Sequence, residues 1–203
     1  MKRLCIVLVA LLAGVAPALA GGPLSLGVQA DAANLSVAGP LKDVYGMGYG
    51  GGAHLDLNFV VVSARLSVDY MSFSPDNGKY QSALQGLTGG AASNFTIDGG
   101  TVSILSVNAN AKLPILPLPI IKPYVTGGLG LARINVSSAT VKYQGVPQGN
   151  IAGVSSDTRS SFNLGAGVDL ELGLTLYLEA KYTWIMTPGT ASTYVPITLG
   201  VTF

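Results

Sequence analysis

Charge is scarce in this sequence. Charged residues fill 10% of its 203 positions, against about 25% in soluble globular proteins, so the usual hydrated surface is missing. Cysteine occurs once, as Cys5, and histidine once, as His54. After the first twenty positions no stretch of 18 apolar residues follows, which excludes a bundle of membrane-spanning helices.

The N-terminus is a targeting signal by composition. Lys2 and Arg3 precede an apolar or glycine run from Leu4 to Val15, and Ala18-Leu19-Ala20 supplies the small residues of a cleavage site. The run is shorter than the ~20 residues a spanning helix needs, and Pro17 closes it. We therefore expect residues 1–20 to be a cleaved signal peptide and 21–203 to form one domain. A lipoprotein signal would place its cysteine directly after the run, whereas Cys5 lies near the beginning and leaves with the peptide. The mature chain then has no thiol for a disulfide, a metal or nucleophilic catalysis. Removing Lys2 and Arg3 from eleven basic residues leaves nine against ten acidic ones, a formal net charge of −1. That balance gives no footprint for nucleic acid.

What the sequence does contain is alternation. Between Phe162 and Met186 two period-two stretches meet near Leu172-Gly173. Phe162, Leu164, Ala166, Val168 and Leu170 share one face, while Asn163, Gly165, Gly167, Asp169 and Glu171 share the other. Leu176, Leu178, Ala180, Tyr182 and Trp184 then oppose Thr175, Tyr177, Glu179, Lys181 and Thr183. Comparable segments begin near Leu24, Met47, Ser63, Leu105 and Val125, and the last runs from Val195 to Phe203, for eight in all.

A half-buried sheet in a soluble protein would show the same period. Here the segments are about ten residues long, as tilted strands crossing hydrocarbon require, and their number is even. Tyr49, Tyr70, Tyr182 and Trp184 stand near strand ends, as an interfacial girdle would. No amphipathic helix is evident to cover an open sheet, and closure removes its edges. The expected fold is all-β: an eight-stranded antiparallel up-and-down transmembrane barrel in a bacterial outer membrane.

Long polar segments near 36–46, 74–99 and 136–160, and a shorter one at 187–193, would be the extracellular loops, with tight periplasmic turns between them. One inner turn differs, since residues 113–123 hold four prolines that stiffen an extended segment. The apolar face changes parity near Ile104-Leu105 and Ala33-Asn34, which suggests bulges or strand ends. Pro196 inside the last strand suggests the same.

Three stretches carry a family likeness: K-P-Y-V-T-G-G-L-G-L-A-R at 122–133, F-N-L-G-A-G-V-D-L-E-L at 162–172, and the terminal Phe203. Together they resemble the small outer-membrane barrels typified by OmpA and OmpX. The resemblance implies that Phe203, an aromatic end to an alternating strand, is read by the barrel-assembly machinery. Because the sequence stops there, wall tethering through a periplasmic peptidoglycan-binding domain is not implied. The expected partners are outer-membrane lipid and that machinery, with the barrel a monomer.

If the apolar face meets lipid, the polar face points into the lumen with Asp31, His54, Asp56, Arg65, Asp69, Lys112, Asp169, Glu171, Glu179 and Lys181. Eight strands leave an interior that side chains can fill, so mutually satisfying ion pairs and hydrogen bonds are the preferred reading. A narrow porin-like channel for small hydrophobic or polar solutes is the alternative. A third reading is a lipid-modifying enzyme. His54 and Asp56 could act as base and orienter, but the histidine-x-serine motif of a lipid A deacylase is absent, and we expect no enzymatic activity. The Gly46-x-Gly48-x-x-Gly51 spacing opens a strand instead of a helix, so it is not a nucleotide site. Asp76-Asn77-Gly78 is a turn signal before it is a calcium site. No cofactor is expected, although loop-bound cations stay open. Lys79-Tyr80-Gln81 and Lys142-Tyr143-Gln144 repeat in two outer loops, whose apolar residues we expect to pack on one another.

Overall fold

The computed structural model describes residues 23–36, 44–59, 61–88, 94–116, 118–186 and 192–203. The expected signal peptide lies outside the described residues. Within them the chain forms β1 (Leu24–Ser36), β2 (Met47–Asn58), β3 (Ser63–Phe73), α1 (Asn77–Thr88), β4 (Phe95–Gly99) and β5 (Val102–Pro114). It continues through β6 (Ile121–Val136), β7 (Ala139–Tyr143), β8 (Val146–Ile151), β9 (Val154–Glu171), β10 (Thr175–Ile185) and β11 (Ser192–Thr202).

Eight strands close into a barrel in the order β1-β11-β10-β9-β6-β5-β3-β2. Every neighbouring pair is antiparallel, and β1 seals on β11 from Gly27↔Thr202 to Ser36↔Thr193. Closure satisfies each strand edge within the barrel, the condition for a sheet in hydrocarbon. The eight alternating segments are these strands. Their outward residues are apolar and exposed, with Leu129, Leu164 and Leu199 among them, while inward neighbours are buried.

The aromatic girdle is denser at one rim. Tyr49, Tyr70 and Tyr182 are exposed, and Trp184 stacks on Phe162 with ring centroids 4.4 Å apart. All lie near the ends of strands that lead into the long segments. The opposite rim carries Phe59 among mainly aliphatic residues, including Ile115, Leu116, Leu118, Ile120 and Ile121 from the proline-rich turn. That turn is pinned by Ile115 N–H to Pro123 O at 2.8 Å and Glu171 N–H to Ile120 O at 2.9 Å.

Three expectations change. First, the faces do not exchange near Ala33 or Ile104: the registers of β1 with β2 and β11, and of β5 with β3 and β6, run unbroken through these positions. Ala33, Leu35, Met71, Phe73, Val102, Ile104, Ala132, Ile185 and Tyr194 point inward and form one buried apolar cluster at the extracellular end of the lumen. The interior chemistry changes with height while the pleat continues. Second, Pro196 makes no bulge, because β10 and β11 hold the same register at Ala180↔Ile197 and Thr183↔Tyr194 on either side of it. Third, the long segments contain structure of their own. β4, β7 and β8 make a separate three-stranded sheet in the order β4-β7-β8.

The turn signal at Asp76-Asn77-Gly78 is the start of α1. Asp76 Oδ1 accepts from Gly78 N–H at 2.9 Å and Lys79 N–H at 3.2 Å, which satisfies donors that a helix start leaves unpaired. The helix covers no face of the barrel; it packs on β4, where Gln81 Nε2 donates to Phe95 O at 2.9 Å. The two K-Y-Q segments differ in setting, for Lys79 donates to Tyr45 O at 2.9 Å while Lys142 pairs with Asp98 across β7 and β4 at 2.7 Å. Gln144 and Gly145 both have positive φ, 49° and 82°, as a tight two-residue hairpin turn requires. Tyr143 meets Phe95 with ring centroids 4.9 Å apart, one aromatic contact between the two loops, while Val146 and Ile151 are exposed.

Candidate functional site

The polar lumen is assembled by register. Asp56 and Arg65 are direct partners on β2 and β3, so both point inward at one height. Arg65 donates through Nε and Nη2 to the two oxygens of Asp56, at 2.7 Å each, a bidentate geometry that suits a planar guanidinium. Its Cζ lies 4.5 Å from the centroid of the Tyr177 ring. Lys112 of β5 reaches past β6 to Asp169 of β9, with Nζ 2.8 Å from Oδ1 and 2.6 Å from Oδ2. The same ammonium sits 3.9 Å from the Tyr124 ring centroid, and Tyr124 Oη donates to Glu179 Oε2 at 3.0 Å. Lys181 Nζ lies 2.9 Å from Glu179 Oε1.

His54 sits between these pairs. Its Nε2 is 2.9 Å from Thr202 Oγ1 and its Nδ1 is 3.3 Å from Tyr177 Oη. Tyr177 Oη also donates to Gln29 Oε1 at 2.5 Å, which uses its one proton. The consistent assignment is a neutral imidazole that donates from Nδ1 to Tyr177 and accepts at Nε2 from Thr202. Asp56 Oδ2 is 4.0 Å from Nε2, so it does not orient the ring as a catalytic carboxylate would.

Nearer the extracellular side, Asp69 Oδ2 accepts from Ser67 Oγ at 2.8 Å and Asn108 Nδ2 at 3.1 Å, and its Oδ1 accepts from Gln29. Asp31 Oδ1 accepts from Thr198 Oγ1 at 2.5 Å. Above them lies the apolar cluster, in which the rings of Phe73 and Tyr194 meet edge to face at 6.3 Å.

Of the ten polar-face residues expected in the lumen, Asp31, His54, Asp56, Arg65, Asp69, Lys112, Asp169, Glu179 and Lys181 are buried there. Glu171 is not within this buried layer. It stands at the periplasmic rim, where Lys122 Nζ is 2.5 Å from its Oε1 and both side chains are part-exposed, because β9 ends there and water reaches the pair. Lys122 and Tyr124 were not among the expected lumen residues, although the inward parity of Thr126 assigns them to the same face. Glycines on the inward face make room for the rings. A Cβ on Gly200 would stand 2.4 Å from Tyr177 Cζ, and one on Gly48 would stand 2.3 Å from Phe73 Cδ1, so both rings require a bare backbone beside them.

Two voids frame the middle layer. A cavity of about 280 Å³ opens at the periplasmic end, lined by Asp56, Asn58, Lys112, Lys122, Asp169 and Glu171. A second of about 20 Å³ lies beside Gln29, Asp31, Asp69 and Met71. Among the described residues no group of three His, Cys, Asp or Glu could hold a metal ion, and Asp76 Oδ1 is engaged as the helix cap. Outside the membrane-spanning strands, the Lys142 ammonium beside Asp98 holds that carboxyl below its ordinary value.

A closed eight-stranded barrel, apolar outside and polar within, defines a transmembrane β-barrel. The match to the outer membrane protein beta-barrel domain covers residues 6–203: the chain belongs to this family, as a small outer-membrane barrel of the OmpA/OmpX-like kind, and it is a bacterial outer-membrane protein. Among solved structures it is similar to Neisserial surface protein A (NspA), with 18% identity over 87% of this chain and 95% of that one, at a TM-score of 0.55. It is also similar to a major outer membrane protein from Thermus thermophilus, with 14% identity over 89% of this chain and 98% of that one, at a TM-score of 0.50. These likenesses show the fold. No curated protein matches the sequence.

Proposed function

We propose that the protein is a non-conducting, non-enzymatic barrel that contributes to envelope integrity or surface contacts by holding α1 and the β4-β7-β8 sheet outside the cell. The observation that carries this reading is the stacked interior, a hydrogen-bonded ion-pair layer beneath an apolar cluster centred on Phe73 and Ile104. Both storeys occupy the path a solute would take. The His54 ring is engaged at both nitrogens, by Thr202 and Tyr177, and the serine opposite it, Ser67, donates its hydroxyl to Asp69 instead, which supports a structural role for the histidine. Phe203, whose N–H donates to Leu26 O at 2.7 Å on the neighbouring strand, is the residue the barrel-assembly machinery would read, and the assembled barrel is a monomer.

Planar-bilayer recording on refolded protein tests this directly. The wild type should give no steady conductance, whereas a Phe73→Ala, Ile104→Ala double variant should flicker open. Steady wild-type current that changes with Glu179→Gln would establish the channel instead. For the enzyme alternative, cells carrying His54→Ala should have the same lipid A composition as the parent.

A further inference from the structure

Almost all charge on the barrel strands points into the lumen, and Arg133 is the exception. The inward cations pair with carboxylates: Arg65 with Asp56, Lys112 with Asp169, Lys122 with Glu171, Arg159 with Asp157 and Lys181 with Glu179. Arg133 lies between the inward Ala132 and Ile134, so its side chain points out, where it is exposed. Among the described residues no carboxylate pairs with it; its Nη2 donates to Ser156 Oγ at 2.6 Å. A guanidinium has five N–H donors, so most of its capacity is unused.

Its height on the barrel is informative. Along β6 the outward residues Val125, Leu129 and Leu131 are exposed and apolar, and Arg133 follows at the extracellular edge of that belt. Across the sheet Arg133 is the register partner of Leu105, which is the partner of Tyr70. These residues with Ser103, Asn135 and Ser156 line an outer-surface recess of about 410 Å³. Tyr70 Oη donates to Ser103 Oγ at 3.1 Å within it. A register shift in the β6-β9 ladder falls between Ile134 and Val136, and such bulges bend a strand and re-aim its side chains.

We propose that this recess seats the phosphate of an outer-leaflet lipid headgroup. Arg133 supplies charge-assisted donors, Asn135 and Ser103 supply polar partners, with Tyr70 donating to the Ser103 oxygen and leaving that hydroxyl's own proton for the phosphate, and an acyl chain lies along Leu105 and Leu131. The outer leaflet is assigned because the long segments face the cell exterior in barrels of this kind. An unpaired guanidinium set directly above an apolar belt matches a lipid that carries an anionic head on hydrocarbon tails, and it matches free phosphate less well because the belt would add nothing to that ligand.

Native mass spectrometry of the refolded mature chain in zwitterionic detergent, titrated with diphosphoryl lipid A, its dephosphorylated counterpart and inorganic phosphate, tests this. The phosphorylated lipid should be retained, and Arg133→Gln should weaken it about tenfold, the loss of one charge-assisted bond. Arg133→Lys should keep part of the binding, and Tyr70→Phe should weaken it by a smaller factor. Heat-modifiable migration checks that each variant folds, and Tyr70→Phe keeps the question answerable should Arg133→Gln not fold. Equal retention of the dephosphorylated lipid, unaltered binding by both variants, or inorganic phosphate binding as tightly as the lipid would overturn the proposal.

Discussion

Two storeys of one lumen use the same pleat for opposite purposes. In the lower storey, inward positions carry Asp56, Arg65, Lys112, Asp169, Glu179 and Lys181, whose charges neutralise one another at hydrogen-bond distance. In the upper storey, the same inward positions further along the strands carry Met71, Phe73, Val102, Ile104 and Ile185. Backbone geometry decides only which side chains enter the barrel. Their chemistry then decides how the space is closed, by directional bonds below and by shape-filling contacts above.

The most severe way to break the lower storey is to remove one partner and leave the other charge buried. Arg65→Ala strands Asp56 and should cost about 3–5 kcal/mol, read as a lower urea midpoint for unfolding in detergent. Arg65→Met with Asp56→Leu should recover much of that loss, because an apolar pair of similar volume asks for no partner. The upper storey breaks by cavity. Phe73→Ala should cost about 3–5 kcal/mol, at the low end if Tyr194 collapses into the space, and Ile104→Val about 1 kcal/mol. A phenylalanine loss that leaves stability unchanged would show that the apolar cluster is loosely packed.

Smaller effects lie outside both storeys. The rim pair of Glu171 and Lys122 is part-exposed, and Glu171→Gln should change the unfolding free energy by about 0–1 kcal/mol. Glu171→Gln matching Arg65→Ala would remove the distinction between rim and lumen. The smallest effect is in the extracellular sheet. The Asp98 carboxyl is held below its ordinary value of 3.8 by Lys142, so its contribution is present above that pH and is lost as the pH falls through the lower folded value. Amide exchange over β4, measured in acid, should rise across that window in the wild type and show no such step in Asp98→Asn.

Much of the barrel was legible because lipid outside and polar groups inside give a clean period of two. The rule fails where both faces are apolar, and for that reason Ile104 and Leu105 read as an exchange of faces when Ile104 in fact points into the upper storey. It also fails beyond the rim, where Glu171 keeps inward parity yet reaches water. α1 left little trace because its sequence, N-G-K-Y-Q-S-A-L-Q-G-L-T, contains two glycines and no sustained apolar stripe. What identifies its start is Asp76 acting as a cap, a role that the same residues share with an ordinary turn. The lumen residues were readable singly, but their pairing was not, since Lys112 reaches Asp169 across an intervening strand. Arg133 stood in plain view on the outward side of an otherwise apolar alternation.

The uneven filling also has an electrical consequence. Water and ions that enter the cavity at the periplasmic end can approach the Lys112–Asp169 pair, while Phe73 and Ile104 above are closed to solvent. Any voltage across this membrane therefore falls over the solvent-excluded part of the lumen above that cavity, where Glu179 and Lys181 are buried beneath the apolar cluster, and this stretch behaves as the dielectric of a capacitor whose lower plate is the periplasm carried partway up inside the protein.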